Sequence, residues 1–309
     1  MTAHNEEIKV AIIDMNDGIP NEGIGGILKI LSQWKSSYTL DMAKKQNLAP
    51  GDDLSINTHS QIIKPPGPTI NALDLTVNRY DLRAKNEIPG MEYDIYISSG
   101  GPGSPFDGQG KKWENDFFDL LDNIEAYNTS AVKRKYVFLI CHSFQLACRK
   151  YKLGEVTKRK SSVFGIFPVT LTPAGESDLI YAGLQNPFYA LDSRDWQVVH
   201  SSEERSGPLT AQVLAIEKER TQVNLERCMM SVRFSKEIVG TQFHPEADPD
   251  GLKAYLLEEK KKQAIISKYG EEKYRDMLLH IDHPEYSLRP QQSVLPNFLN
   301  EVIRSYNPE

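Results

Sequence analysis

The stretch Lys135-Tyr136-Val137-Phe138-Leu139-Ile140-Cys141-His142-Ser143-Phe144-Gln145-Leu146-Ala147 decides the fold. Its apolar run stops at Cys141 and passes at once into helical spacing through Phe144, Leu146 and Ala147. A continuous apolar run of this length reads as a strand buried on both faces, the habit of parallel sheets. A strand feeding directly into a helix is the repeating step of an α/β fold.

Two further units repeat that step. Ile8-Lys9-Val10-Ala11-Ile12-Ile13-Asp14 is a buried strand, followed by a loop rich in Gly, Asn and Asp and a helix over Ile27 to Trp34. Tyr93-Asp94-Ile95-Tyr96-Ile97 runs into the small-residue loop Ser98-Ser99-Gly100-Gly101-Pro102-Gly103-Ser104-Pro105. After it, Trp113, Phe117, Leu120, Leu121 and Ile124 share one helical side. Shorter strands are expected at Phe167 to Leu171, Gln212 to Ile216, Met230 to Phe234 and Ile238 to Phe243. Residues 47–89, with Pro65-Pro66-Gly67-Pro68, read as an irregular excursion carrying short strands. Helical periods return at 251–268, 271–280 and 295–305. The expected architecture is a doubly wound, mainly parallel sheet flanked by helices over residues 1–250, with a helical C-terminal extension over 251–309.

Composition limits the function classes. With 309 residues, 39% hydrophobic and 25% charged, the chain can bury a large core and does not resemble a disordered one. The net charge of −6 and the lack of a long basic run argue against nucleic acid. Lys158-Arg159-Lys160 and Lys260-Lys261-Lys262 read as solvated faces. Three cysteines, Cys141, Cys148 and Cys228, have neither disulfide-framework nor metal-ligand spacing, which points to a reducing compartment. The first nine residues are polar, and no apolar run approaches the roughly 20 residues that span a bilayer. A cytoplasmic location, no membrane partner, no metal and no cofactor are expected. Asn21-Glu22-Gly23-Ile24-Gly25-Gly26 fits neither a dinucleotide nor a P-loop pattern and reads either as a flexible lip of the site or, preferably, as a plain turn and helix start.

Chemistry converges on Cys141. A sharp strand-to-helix turn holds a side chain out above the sheet, and the adjoining helix N-terminus favours negative charge there, lowering a thiol pKa. On its own such a cysteine is more often a small buried hydrophobe. A nucleophilic thiol needs a base and the base needs an orienting group. His244-Pro245-Glu246, at the end of another expected strand, supplies both. Strand ends on one edge of a parallel sheet converge, so the two segments meet despite their distance in sequence. The Gly100-Gly101 loop allows close approach of backbone N–H groups to a substrate, and the N–H groups of Gly101 and His142 are candidates to hold an oxyanion. His280 and His283 lack a third ligand, and Cys148 and Cys228 lack the turn context.

Three of these segments together resemble one family. Ser99 to Pro105, Ile140-Cys141-His142-Ser143-Phe144-Gln145 and Gly240-Thr241-Gln242-Phe243-His244-Pro245-Glu246 resemble the oxyanion loop, nucleophile elbow and histidine–glutamate motif of class I glutamine amidotransferases, of the GMP synthetase glutaminase-domain type. Phe164 to Val169 resembles the family's connecting segment. The resemblance spans residues 8–250. It implies a flavodoxin-like fold, L-glutamine as substrate, a glutamyl thioester on Cys141, glutamate and ammonia as products, and Gln145 framing the substrate pocket. The chain has no room for a synthetase domain to consume ammonia, so the resemblance implies either an ammonia-accepting synthetase partner or a different chemistry. The family elbow has glycine two residues before and after the cysteine, where this chain has Leu139 and Ser143. The alternatives are a homoserine O-acyltransferase-like acyl transfer, suggested by the shared cysteine and glutamine spacing and by Ser193-Arg194, and a scaffold or ligand sensor that kept the fold without turnover.

Overall fold

Strand β1 (Glu7–Asp14) alternates two sets of buried side chains, and that alternation sets up the layers of the molecule. In a computed structural model of the chain, residues 7–20, 22–45, 73–200, 210–219 and 225–307 are described. Most of the excursion, including Pro65 to Pro68, lies outside them, as does Asn21. The first half of the chain supplies α1 (Glu22–Lys45), β2 (Asp74–Asp81), the single turn α2 (Leu82–Lys85), β3 (Ile95–Ser98), α3 (Lys112–Asn128), β4 (Tyr136–Ile140) and α4 (His142–Lys150). Then come β5 (Glu155–Leu171), the short α5 (Pro173–Ser177), β6 (Phe188–Val199), β7 (Gln212–Glu217), β8 (Met229–Arg233) and β9 (Ile238–Thr241). Four helices close the chain: α6 (Pro249–Leu257), α7 (Glu259–Tyr269), α8 (Glu271–Ile281) and α9 (Pro284–Tyr306).

Among the described residues the strands form one nine-stranded sheet in the order β2-β1-β3-β4-β9-β8-β7-β5-β6. From β2 to β9 every pairing is parallel. Beyond β9 the pairings are antiparallel. Side chains alternate across a strand. Val10, Ile12, Ile97, Phe138 and Ile140 therefore face a layer built by Ile27, Ile30, Leu31 and Trp34 of α1 together with α9. Ala11, Ile13, Tyr96, Val137 and Leu139 face the other layer, from α3 and α4. This is the helix-covered sheet that the apolar runs imply.

The C-terminal helices divide between two tasks. Leu256, Ile265, Tyr274, Met277 and Ile281 of α6 to α8 form a smaller cluster on Ile166 of β5. Helix α9 instead joins the main core through Val294, Leu295, Phe298, Leu299, Val302 and Ile303, with Phe298 edge-on to Phe138 and Tyr136. Burying one such side chain is worth about 1.5–3 kcal/mol. The whole set is thus comparable to the net stability of a domain, about 5–15 kcal/mol. The expected 251–268 helix is broken at Glu258, whose backbone is extended. Among the described residues no helix is long and apolar enough to cross a membrane.

Candidate active site

The register between β4 and β9 brings two separated segments to one level. Leu139 lies opposite Gly240 and Ile140 opposite Thr241. Cys141 then leaves the sheet beside Thr241, donating its N–H to the Thr241 carbonyl at 2.7 Å. It caps α4 with φ +49° and ψ −96°, a backbone conformation that a residue with a side chain rarely adopts. Such strain amounts to about 1–3 kcal/mol and persists only where the surroundings over-determine it.

The surroundings here are specific. Ser143, which stands where the resembled elbow has glycine, is wholly buried. Its Oγ accepts the Ile140 N–H at 2.9 Å and lies 2.9 Å from the Ser98 carbonyl and 3.0 Å from the Ile140 carbonyl, either of which takes its proton. One hydroxyl thus ties the ends of β3 and β4 to the first turn of α4. Leu139, the other departure, is accommodated from across the sheet. A Cβ on Gly240 would stand 3.1 Å from Leu139 Cβ and 2.9 Å from the Phe144 ring. The glycine that relieves crowding at this elbow therefore sits on β9 instead of β4.

His244 follows β9 and is held by its backbone N–H, which donates to the Leu191 carbonyl of β6 at 2.9 Å. Its ring is 2.8 Å, Nδ1 to Oε1, from the buried carboxylate of Glu246. The ring also lies beside the Cys141 sulfur, near enough for the sulfur to favour the charged imidazolium. Burial alone would lower the ring's pKa. The Glu246 carboxylate and the Cys141 sulfur outweigh burial and raise the pKa well above the ordinary histidine value of 6.5. Gly26 of α1 packs on the Glu246 backbone so closely that a Cβ there would meet the Glu246 carbonyl oxygen at 2.0 Å. The Asn21 to Gly26 segment, read from the sequence as a helix start, is the beginning of α1 from Glu22 on, and it buttresses this turn.

The glycine loop reaches the same place. A Cβ on Gly100 would lie 2.9 Å from His244 Cε1 and 3.3 Å from Cys141 Cβ. A Cβ on Gly101 would strike the Met15 carbonyl oxygen at 2.1 Å. Both glycines are therefore required by close approach. Arg83 anchors the loop from behind, donating to the carbonyls of Met15 at 3.1 Å and Pro102 at 2.7 Å.

Of the residues singled out from the sequence, Cys141, His244, Glu246 and Gly100 are brought together, and Gly101 and His142 flank them. The His142 side chain is buried away from the thiol, and its pKa is pushed down to about 3 by burial, with Arg83 and Arg149 adding to the effect and Asp107 opposing it. It stays neutral. Gln145 is buried. Its amide nitrogen bonds the Trp196 carbonyl at 3.2 Å and Gln242 Oε1 at 3.0 Å. His280 and His283 instead pack with Tyr286 of α9 against Tyr189 of β6, His283 and Tyr189 stacked on Tyr286 and His280 edge-on.

Sequence reasoning missed what β6 contributes. The Ser193 carbonyl lies 3.8 Å from the Cys141 sulfur. Behind it Arg194 pairs with Asp192 at 2.8 Å and Glu217 at 3.5 Å. Gln242 was also missed as a site residue, although it lies in the quoted histidine–glutamate motif. Its amide nitrogen is 3.5 Å from the Cys141 sulfur.

The site is thus a strained thiol at a strand-to-helix elbow of an α/β sheet, beside a histidine–carboxylate pair. The family model for class I glutamine amidotransferases matches residues 66–264, well over half of the chain, and the chain belongs to that family. No curated protein sequence matches it. Among solved structures it is similar to a glutamine amidotransferase from Thermotoga maritima, at 14% identity and a TM-score of 0.59 over 96% of this chain and 98% of that one. It is similar to a protein described as a GMP synthase subunit from Thermoplasma acidophilum, at 12% identity and a TM-score of 0.53 over 99% and 100% of the two chains. It also resembles the glutaminase domain of Trypanosoma brucei CTPS with bound acivicin, at 10% identity and a TM-score of 0.51 over 98% and 95%. At these identities the likeness concerns the fold.

Proposed function

We propose that the protein hydrolyses the side-chain amide of L-glutamine with Cys141 as nucleophile, His244 as general base and acid, and Glu246 as the group that orients His244. One observation carries the reading. The thiol is held at a strained elbow, Cys141 Cβ and the His244 ring both press on Gly100, and the histidine's Nδ1 is committed to a buried carboxylate. His244 accepts the thiol proton. The sulfur attacks the amide carbon, and the N–H groups of Gly101 and His142 receive the oxyanion. The C–N bond breaks as His244 returns the proton to the leaving ammonia. Water, deprotonated by His244, then cleaves the thioester to glutamate and restores the thiol.

The ammonia goes to a synthetase partner, and the protein works in the cytoplasm. Support for a partner comes from family membership and from the likeness to a GMP synthase subunit. The acyl-transfer alternative rested on the Cys141 and Gln145 spacing and on Ser193-Arg194, and the second ground is weakened here. Arg194 is 1% exposed and committed to two carboxylates, so its guanidinium is not offered to a substrate. The test is incubation with a reactive glutamine analogue and mapping of the adduct by mass spectrometry. Stoichiometric modification confined to Cys141 is expected, and an unmodified Cys141 at saturating analogue would overturn the reading.

A further inference from the structure

Two glutamine amides connect the nucleophile to the backbone of β6, and their order fixes the direction of every hydrogen bond between them. The Trp196 carbonyl can only accept, so the end of the Gln145 amide that meets it at 3.2 Å is the nitrogen. That nitrogen has one further hydrogen, and it meets Gln242 at 3.0 Å, so the oxygen end of Gln242 must face Gln145. The nitrogen end of Gln242 is thereby turned to the Cys141 sulfur at 3.5 Å. Both glutamines are buried, so no solvent competes for these bonds. The ordinary ambiguity of an amide orientation is removed by one backbone carbonyl.

The sulfur has partners of opposite kinds. The Ser193 carbonyl, 3.8 Å away, accepts the proton of the thiol and is useful only while the proton is there. The Gln242 N–H bonds a neutral thiol sulfur only weakly and a thiolate much more strongly. We propose that Gln242 is a catalytic residue that donates an N–H to the Cys141 thiolate, and that Gln145 is the positioning residue that fixes which end of the Gln242 amide faces the sulfur. The proton removed from sulfur goes to His244, and the freed lone pair accepts the Gln242 N–H. When sulfur bonds to the substrate carbon the charge passes to the substrate oxygen, and the amide contact weakens. When water breaks the carbon–sulfur bond of the thioester the charge returns to sulfur, and the same N–H stabilises the leaving thiolate. The donor thus serves formation and departure of the nucleophile alike.

This inference rests on Cys141 as nucleophile, but its test reads the thiol and not glutamine turnover. The rate of Cys141 alkylation by iodoacetamide is measured against pH in the full chain, with Cys141→Ser giving the background from the buried Cys148 and Cys228. Gln242→Met keeps the length of the side chain and removes the donor, and the alkylation midpoint is expected to rise by about one pH unit, the scale of a hydrogen bond to a charged group. Gln145→Met, which frees the Gln242 amide to rotate, is expected to move the midpoint the same way by less. An unchanged midpoint in folded Gln242→Met overturns the inference. The unmutated protein supplies the second reading: the side-chain amide N–H resonance of Gln242 should shift with the same midpoint as the thiol titrates, and a resonance indifferent to that titration overturns the inference. A shifted midpoint together with absent glutamine hydrolysis would remove the proposed substrate and leave the donor role standing.

Discussion

The two halves of the sheet contribute to the site in opposite ways. In the parallel half, β3, β4 and β9 are buried throughout, and they present reactive groups only where the strands end, at Gly100, Cys141 and His244. In the antiparallel half, β6 lies alongside the site and works through its middle. It offers the carbonyls of Leu191, Ser193 and Trp196 to His244, Cys141 and Gln145. One half places the chemistry and the other holds it in register. The first is built mainly on buried apolar runs, while β6 of the second is held by buried charge.

The largest effect should come from the layer that both halves share. Deleting α9, residues 284–309, removes the core side chains from Val294 to Ile303 and is expected to abolish folding, read as loss of a cooperative thermal transition. A truncated chain that still melts cooperatively would make residues 1–283 a self-sufficient unit and α9 an accessory.

The antiparallel half breaks next. Arg194→Met strands the buried Asp192 carboxylate and leaves Glu217 to Arg159. Removal of one partner from such a buried cluster costs about 3–5 kcal/mol. Denaturant unfolding is expected to show that loss. A change under about 1 kcal/mol, the scale of an exposed pair, would mean that β6 is not held by its ions.

Legibility in the sequence follows the same division. Of the parallel strands, β1, β3, β4 and β9 are legible because their apolar runs stand out, and the ends of β3, β4 and β9 carry Gly100, Cys141 and His244, whereas the mostly polar β2 falls within the stretch read as irregular. Strand β6 is hidden because two of its inward positions are Asp192 and Arg194, charges that satisfy one another and erase the hydrophobic alternation. Helix α9 is legible only from 295, since Pro290 interrupts its interior and proline ordinarily ends a helix pattern. Gln242 is in view within a motif, yet its role depends on Gln145 and Trp196, which only the fold brings together. Leu139 and Ser143 look like obstacles in the sequence because the compensating Gly240 lies on a neighbouring strand.

The parallel half is sharpened by a smaller change. Gly100→Ala puts a methyl 2.9 Å from His244 Cε1, and that ring must move. Misplacing a catalytic group by a fraction of an ångström lowers kcat by about 10–100-fold, with KM little altered. Steady-state kinetics on glutamine would check it, and an unaffected kcat would mean that the ring is not held against Gly100.

The smallest effect is electrostatic. The raised pKa of His244 means that its charged form is stabilised by folding. That contribution is complete below the unfolded value of about 6.5 and is lost as pH rises through the higher folded value. Glu246→Gln removes one source of the shift. The stability gap between the unmutated chain and Glu246→Gln should therefore be widest near pH 6 and narrow as pH rises, by about 1.4 kcal/mol for each unit that Glu246 contributes. Chemical denaturation across that range would show it, and a gap that widens with pH would contradict the assignment.

The central claim is that the elbow cysteine turns over glutamine. Ammonia release from L-glutamine should be followed for the unmutated chain and for Cys141→Ala, each alone and with co-purifying proteins. Release is expected to depend wholly on Cys141, with the variant slower by at least about 1,000-fold. Release that persists in Cys141→Ala, or its absence from the unmutated chain under every condition, would contradict it.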